Sequence, residues 1–314
     1  MMMRKNIFFG SLLILATGSF SSCIDEDLSD CPPPAKDVEI SYELKVSQDV
    51  SLGFSDEVKS LHLGFWNKPT NLFREFTLRG EDIPEDMHFT VTLPVDNYQH
   101  IAVANGEQSD GAYLPYPANI GEAVLSYNFL KPDTIAATKY PAYAGKLQMN
   151  MEDSFKDEKY EVLLEPVSGK YNLHVNHPGT LKNIRCFIKG GHQAFALWGQ
   201  SWTLNDKIVT DVNTFASIIS ESNTDFVFYA LPTWTPSVTK AETMQEGWWK
   251  VYFYSDLNDK VVQHIFTMKE GVKSGEVFEA TFNLSEQGGE VIDADAGVEF
   301  NPDWKPGNDY EVEV

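Results

Sequence analysis

The stretch DVEISYELKV, residues 37–46, decides the fold class of this chain. Its apolar side chains fall on every second residue, and polar or charged side chains fall between them. A period of two is typical of a β-strand with one buried and one exposed face. The stretch MHFTVTL, residues 87–93, repeats the pattern and ends at Pro94, which cannot donate a backbone hydrogen bond. Both stretches are therefore predicted to be half-buried strands.

Similar stretches run along the whole chain, with turn-forming pairs such as Asn105-Gly106 and Asp110-Gly111 between them. Many short strands separated by turns predict a β-sandwich or barrel, and the chain is long enough for two domains. We therefore expect an all-β protein with two sandwiches in tandem. Residues 121–130 are predicted as one short helix. The other predicted strands are residues 58–66, 72–78, 100–103, 171–175, 184–188, 226–231, 249–253, 261–266, 278–284 and 310–314.

The first 22 residues have the parts of a secretory signal peptide. Arg4 and Lys5 are positive, residues 7–17 are apolar, and small residues lead to Cys23. A transmembrane anchor is the weaker alternative, because the apolar run is shorter than the roughly 20 residues that a spanning helix needs. A cysteine at the cleavage point is typical of bacterial lipoproteins, so Cys23 is predicted to carry a lipid.

The acidic run Asp25-Glu26-Asp27 follows Cys23 at once. It resembles the export signal of surface lipoproteins of the Bacteroidetes, which implies that the protein faces outward from the outer membrane. A solvated acidic tail is the alternative. The predicted divisions are residues 1–22 for the signal peptide, 23–36 for a lipidated acidic and proline-rich linker, 37–160 for the first sandwich and 161–314 for the second.

The formal net charge of the chain is −22, and removal of the signal peptide would make it two units more negative. Such a charge repels phosphate backbones, so nucleic-acid partners are excluded. It also disfavours adsorption to anionic lipid headgroups, which leaves the lipid on Cys23 as the membrane contact.

No motif for catalysis, phosphate binding or metal binding is present, so we predict neither an enzyme nor a cofactor or metal. His174 and His177 have the spacing of metal ligands, but surface and turn histidines are the favoured interpretation. Five of the six tryptophans in the second half are the strongest argument for a ligand, because exposed aromatic rings on a sandwich can stack on sugars: Trp198, Trp202, Trp234, Trp248 and Trp249. Packing in the core is the alternative.

Two covalent features remain open. Cys31 and Cys186 could pair in an oxidising compartment; the favoured alternative is a linker cysteine and a buried strand cysteine. The tripeptide Asp133-Thr134-Ile135 resembles the O-glycosylation site of secreted proteins of the Bacteroidetes, which implies a glycan on Thr134. A chance match is the alternative.

The stretch CIDEDLSDCP, residues 23–32, followed by the strand at 38–46, resembles the start of the lipid-anchored fimbrial anchor subunits of the Bacteroidetes. The stretch NPDWKPGNDY, residues 301–310, resembles their end. The resemblance implies two transthyretin-like (Ig-like) β-sandwich domains, a place at the base of a filament and contact with fimbrial shaft subunits. Shaft subunits of such systems lose an N-terminal segment to an Arg-specific protease and then accept a strand from a neighbour.

The positions of the arginines favour an anchor over a processed shaft subunit. None lies between Cys23 and Arg74, so such a protease has no site at which to separate the body from its lipid. No extended segment follows the alternating stretch at 310–314. We therefore expect an anchor that terminates filament assembly through strand-mediated contact with shaft subunits. The alternative function is a surface glycan-binding lipoprotein of a nutrient-uptake system. The four arginines are Arg4, Arg74, Arg79 and Arg185.

Overall fold

The chain is built mainly of β-strands in the part that the computed structural model describes, so the all-β prediction is confirmed. The described residues are 35–44, 57–68, 71–108, 111–127, 129–131, 134–151, 158–192, 194–203, 210–213, 218–233, 249–268, 271–291 and 298–300. The strands are β1 (Ala35–Leu44), β2 (Ser60–Lys68), β3 (Asn71–Arg79), β4 (His88–Pro94), β5 (Asn97–Ala104), β6 (Val124–Ser126), β7 (Phe129–Lys131), β8 (Thr134–Ala136), β9 (Tyr143–Asn150), β10 (Glu158–Pro166), β11 (Gly169–Asn176), β12 (Lys182–Gly191), β13 (Ala194–Ala196), β14 (Ser201–Thr203), β15 (Thr210–Asn213), β16 (Ile218–Ile219), β17 (Asn223–Ala230), β18 (Trp249–Leu257), β19 (Lys260–Met268), β20 (Val277–Asn283), β21 (Gly289–Val291) and β22 (Val298–Phe300).

Within the described residues these strands form four sheets. The N-terminal sheet has the order β3-β2-β5-β9-β10-β1-β4, and the second sheet has the order β16-β17-β11-β20-β22. The third sheet has the order β21-β19-β18-β12-β15-β8-β7, and a small fourth sheet has the order β14-β13-β6. Residues 37–44 of the first alternating stretch lie in β1, which is inside the N-terminal sheet between β10 and β4.

The N-terminal sheet turns a corner between β9 and β10, which pair at two positions only. Side chains from both sides of the corner, such as Ile40 and Phe65, fill one hydrophobic cluster, the N-terminal core. Gly145 permits the corner: a Cβ there would lie 2.5 Å from the backbone oxygen of Leu163, far inside contact distance. The sheet therefore behaves as two layers around a single core.

The second and third sheets pack face to face around a second hydrophobic cluster, the C-terminal core. Phe253 of β18 meets Phe282 of β20 at a ring distance of 5.0 Å, and Phe226 of β17 at 6.1 Å. Alternating burial along β11, β17 and β18 places every second side chain in this core. The period of two seen in the sequence thus sets the inward faces of both sheets.

The connection between β5 and β9 joins the two cores. Tyr116 and Leu125 on this connection belong to the C-terminal core, as does Trp66, which lies on β2 of the N-terminal sheet. The Trp66 Nε1–H donates to the backbone oxygen of Pro117 at 3.0 Å. The helix predicted for residues 121–130 is wrong: a single 3-10 turn (Ile120–Glu122) is followed by β6, which pairs with β13 from the second half of the chain, and by β7, which pairs with β8.

The predicted boundary between residues 160 and 161 falls inside β10. This strand stays with the N-terminal sheet through Pro166, because its residues pair in parallel with β1. Conversely, β8 lies before the boundary but pairs with β15 in the third sheet. The division into two transthyretin-like domains stays a prediction; the predicted strands at 38–46, 58–66, 72–78, 87–93, 226–231 and 278–284 correspond to β1, β2, β3, β4, β17 and β20.

Asn105, at the predicted Asn-Gly turn, is a hydrogen-bonding hub. Its φ is 54°, in the left-handed region that asparagine tolerates better than most residues. Its Oδ1 accepts from the backbone N–H groups of Lys59 at 2.8 Å and Ser60 at 3.3 Å. Its Nδ2 donates to the backbone oxygens of Glu57 at 2.7 Å and Pro141 at 2.8 Å. One side chain thus ties the end of β5 to the start of β2 and the approach to β9.

Replacing Asn105 with alanine should lower the free energy of unfolding by about 5 kcal/mol. The side chain makes four hydrogen bonds, each contributing about 1 kcal/mol net, and alanine adds about 1 kcal/mol of backbone strain at a positive φ. Urea denaturation of the full chain measures the change. Asn105→Gly is the matched control. It lacks the same four hydrogen bonds but tolerates the positive φ, so it should be more stable than Asn105→Ala by the strain alone, about 1 kcal/mol. A loss under about 1 kcal/mol for the alanine variant would contradict the role of Asn105 as a hub.

Candidate functional site

The first described strand, β1, is held on both sides. Seven of its residues pair in parallel with β10, from Val38 opposite Glu158 to Leu44 opposite Leu164. Seven pair antiparallel with β4, from Ala35 opposite Pro94 to Ser41 opposite His88. The side chains of Val38, Ile40 and Tyr42 are buried in the N-terminal core. The first described strand on the C-terminal side of the predicted lipid site is therefore an internal strand of the sheet, next to the edge strand β4.

Polar side chains add cross-strand contacts on both faces of β1. On the face that carries the core residues, Lys36 Nζ meets Glu158 at 2.5 Å, and both side chains are largely buried. On the opposite face, Glu39 meets Lys159 at 2.7 Å, and the hydrogen bond from Lys159 lowers the pKa of Glu39. On the β4 side, Thr92 Oγ1 donates to Asp37 Oδ1 at 2.6 Å. The exposed pairs contribute little stability singly, but all of these contacts favour one register of β1 against its neighbours.

A buried polar network joins β1 to the opposite layer of the N-terminal core. The backbone oxygen of Gly64 can only accept, so the His100 Nδ1–H donates to it, at 2.8 Å. His100 Nε2 then accepts from the hydroxyl of Tyr42, at 3.0 Å. The His100 ring also stacks on Phe65 at 4.3 Å. Burial lowers the pKa of His100 to about 4 and raises that of Tyr42. Both groups are neutral and fully partnered, as a buried network requires.

Open sheet edges are the second candidate feature. The edge strands of the N-terminal sheet, β3 and β4, have nine and seven residues. The edge strands of the second and third sheets have only two or three residues in the described part of the chain. Short edges protect against unwanted pairing, whereas long edges offer rows of backbone groups to another strand. Strand addition by a partner would therefore fit β3 or β4 best.

The edge strands β3 and β4 differ in how they are protected. Arg74 of β3 donates from Nη1 to the backbone oxygen of Thr92 on β4, at 3.4 Å. Its guanidinium also lies 5.5 Å from the ring centre of Phe73 and 5.7 Å from that of Phe76. A charged side chain on an edge is a common guard against pairing. The same contact places the Arg74 guanidinium beside one backbone oxygen of β4, whose own exposed residues, His88, Thr90 and Thr92, include no carboxylate, lysine or arginine.

The predicted modification sites lie mostly outside the described residues. This holds for Cys23, for the acidic run of Asp25, Glu26 and Asp27, and for Cys31. Their roles therefore stay predictions. No helix in the described ranges is long and apolar enough to cross a membrane.

Cys186 and Thr134, the other two residues of the predicted modifications, lie in strands of the third sheet. Cys186 is on β12 and is 1% exposed, so the interpretation as a buried strand cysteine is correct for its position. Its pairing with Cys31 stays a prediction. Thr134 begins β8, next to the buried Ile135, and its glycosylation also stays a prediction.

The proposed tryptophans whose side chains are described, Trp198 and Trp249, are not exposed. Trp249 is 1% exposed and meets Phe278 and Tyr171 edge to face, at 5.0 and 6.1 Å. Of its neighbour Trp248 nothing is described. Trp198 is half-buried against Lys146, which donates to its backbone oxygen at 2.9 Å. The tryptophans that can be placed thus serve packing, and the glycan-binding alternative gains no support from them.

The two histidines with metal-like spacing have different surroundings. His174 is partly exposed on β11, 3.1 Å from Asp225 and 3.6 Å from Glu279. His177 was expected at the surface, but it is buried and its Nε2 lies 3.1 Å from Thr224 Oγ1. Among the described residues, no group of three or more His, Cys, Asp or Glu side chains could hold a metal ion.

Sequence reasoning missed the two features that shape this site. It placed β1 correctly as a strand but gave no sign that β10, more than a hundred residues later, would pair with it in parallel. It also missed the Tyr42–His100 pair. A histidine inside the apolar stretch at 98–104 was the available signal, because a polar residue in a buried strand needs a partner.

Comparisons with known proteins give one family. A model of the fimbrillin-A associated anchor proteins Mfa1 and Mfa2 matches residues 28–306, which is most of the chain. No curated protein sequence matches. Three solved structures share the fold at 12–13% sequence identity, an identity at which the likeness shows the fold alone.

The first of these is a Bacteroides ovatus protein described as an adhesin, with a TM-score of 0.59 over 87% of this chain and 95% of that chain. The second is a Bacteroides thetaiotaomicron protein described as polysaccharide-binding, with a TM-score of 0.56 over 85% of this chain and 98% of that chain. The third is the fimbrial anchor protein Mfa2 of Porphyromonas gingivalis, with a TM-score of 0.50 over 81% of this chain and 91% of that chain.

The buried His100 predicts loss of stability in acid. Its pKa is about 4 in the folded chain, against about 6.5 for an unperturbed imidazole, so the unfolded state binds the proton more tightly between these limits. The contribution of His100 to the free energy of unfolding is therefore fully present above pH 6.5, falls as the pH drops to 4, and does not change further below that. The shift corresponds to about 3 kcal/mol. Burial also lowers the pKa of His62 and His264, which adds to the same trend.

Chemical denaturation of the full chain at several pH values between 4 and 7 tests this. In His100→Gln the amide can donate to Gly64 and accept from Tyr42 without titrating, so its stability should depend less steeply on pH. An unchanged slope in the variant would show that His100 is not the group responsible.

Proposed function

This chain belongs to the family of fimbrillin-A associated anchor proteins, and from that membership we propose that it is a structural subunit that fixes a fimbrial filament to the outer membrane. It acts by binding rather than by catalysis. Its tether is the lipid on Cys23, and the acidic run at Asp25 directs it to the cell surface. Its partners are the outer membrane, reached through that lipid, and the fimbrial shaft subunits.

The position of β1 is the observation that carries this proposal. In a shaft subunit, removal of an N-terminal segment bares a groove that a neighbour's strand fills. Here the first described strand, β1, lies between β10 and the edge strand β4 of the N-terminal sheet, paired on both sides and with its apolar side chains in the core. A partner strand could enter there only after breaking both ladders. The groove is thus filled by the chain's own tether strand, which supports a subunit that ends the filament.

The arginines are placed where they resist an Arg-specific protease. Arg74 and Arg79 lie in β3, and Arg185 lies in β12. Proteases cut flexible, exposed segments far more readily than paired strands. Arg79 is held further by Glu107 at 2.7 Å, and Arg185 by Asp256 at 2.8 Å. The body would therefore stay joined to its lipid where shaft subunits are cut.

Contact with the shaft would use one of the long edges, β3 or β4. Main-chain hydrogen bonds along such an edge give strength, and side chains on alternate residues give specificity. The short edges of the second and third sheets offer at most three residues each in the described part of the chain. Filling of the groove by β1 is thus compatible with strand pairing to the shaft, because that pairing would use the edge of β3 or β4 rather than the groove.

Loss of the lipid site should release the filaments. In cells that carry Cys23→Ala, we expect fimbriae in the culture medium rather than on the cell surface, since no covalent lipid then holds the base. Electron microscopy and immunoblotting of medium and cell fractions measure this. Cys31→Ser is the matched control, because it removes a nearby thiol outside the lipid site, and its filaments should stay attached. Filaments that remain on Cys23→Ala cells would refute the anchor proposal.

Photo-crosslinking should identify the docking edge. A photoreactive amino acid at Thr77 of β3 or Thr90 of β4, both exposed, should give a covalent product with a shaft subunit in fimbriated cells. The control position is Val261 on β19, which is 63% exposed but on a strand with neighbours on both sides. No crosslink to a shaft subunit from either edge would exclude strand pairing there, while the lipid-anchor proposal would stand.

A further inference from the structure

The tether and the rest of the molecule attach to opposite ends of the N-terminal sheet. The chain enters β1 at Ala35 and leaves the parallel strand β10 at Pro166. Leu44 of β1 pairs with Leu164, close to that exit, whereas Ala35 lies at the far end of β1. The end of β5 and the start of β9 pair with each other, and Pro166 pairs with Tyr143, the first residue of β9. All chain connections to the other sheets therefore leave at one end.

The link from β10 to the second sheet is short. Only two residues separate Pro166 from Gly169, where β11 begins. β11 lies in the middle of the second sheet, between β17 and β20, with eight and seven residue pairs respectively. A pull on the C-terminal core is thus passed directly to the far end of β10. A pull on the tether is passed to the start of β1.

We propose that β1 is a mechanical clamp that carries the load between the tether and the filament in shear. This inference rests on the proposed anchor function. With β1 and β10 parallel and pulled at opposite ends, the force runs along the strands, so the seven residue pairs of this ladder are loaded together. A pull across the strands would open the pairs one after another. Because β4 holds the other side of β1 through seven more pairs, the strand cannot peel away as an edge strand would.

The side chains of β1 reinforce this arrangement. Each step of β1 along its neighbours would carry Val38, Ile40 and Tyr42 past their sites in the core and alternately expose them. The hydroxyl of Tyr42 would leave His100 Nε2 without its donor. Sliding therefore breaks backbone pairs, apolar packing and a buried hydrogen bond at the same moment. Forced unfolding follows the unfolding rate, so a barrier that concentrates these losses prolongs the lifetime under load.

Single-molecule force measurements on the full, unlipidated chain test the clamp. For the shear direction, handles are attached at Cys23 and at Gln287→Cys, an exposed residue after β20, in a Cys31→Ser background. For the cross-strand direction, Cys23 is replaced by serine and handles are attached at Thr90→Cys and Lys159→Cys. Both of these exposed residues lie directly opposite Glu39, on the two sides of β1. Cys186 is buried in the core and stays in both chains.

At equal force the folded state should last at least about tenfold longer in the shear direction than in the cross-strand direction. Equal or shorter lifetimes in shear would overturn the clamp. Within the described residues the substitutions in both chains fall at exposed positions, so a folding failure is not expected to obscure the result. Because no filament or membrane is involved, failure here is distinct from failure of the anchor proposal, which the Cys23→Ala cells decide.

A matched pair of core variants gives a second test. Ile40→Ala removes packing from β1, and Ile188→Ala makes the same change on β12, where the side chain is equally buried. In the shear direction Ile40→Ala should shorten the folded lifetime about tenfold more than Ile188→Ala does. For each variant, the change in lifetime is first corrected for the change in thermal stability. Equal effects of the two variants would show that β1 is not the element under load.

Discussion

The pairing of β1 with two strands from distant parts of the chain is the constraint on which the N-terminal half depends. β4 follows it by about fifty residues and β10 by more than a hundred, so both ladders close long loops before they gain any packing. Once closed, they place Val38, Ile40 and Tyr42 in the core. Without β1, β10 would be left with two residue pairs to β9, and β4 would have no neighbour among the described strands.

Buried polar groups make this arrangement specific. Apolar packing alone would tolerate a shift of β1 by two residues, since alternate side chains would still point inward. The Tyr42–His100–Gly64 network does not tolerate it, because a shifted β1 would leave the ring nitrogen of His100 buried without a partner. Asn105 has the same role at the end of β5, where its side chain satisfies four backbone groups. Both features select one register of the strands. They do so only while their polar groups stay neutral and fully hydrogen-bonded.

The sequence predicts the strands well because their signal is local. Alternation in residues 37–46 and 87–93 follows directly from one buried and one exposed face, and β1 and β4 are found there. The helix expected at 121–130 is wrong because the structure of this segment depends on partners outside it: β6 pairs with β13, far along the chain, and β7 pairs with β8. The position of β10 was missed for the same reason: periodicity reports which residues are buried but not which strand lies beside them. The lipid site was predicted from a motif alone and lies outside the described residues.

The same geometry would meet the three demands of the proposed anchor function. A subunit at the base of a filament must exclude a strand at the place where shaft subunits accept one, yet it must bind its neighbour and resist the pull on it. Under this proposal exclusion would come from β1, which has seven residue pairs on either side. Binding is left to the long edges, of which β4 presents only His88 and threonines on its exposed face. Resistance follows from the direction in which β1 and β10 run, since a strand that both fills the groove and continues into the tether cannot leave the sheet without shearing it.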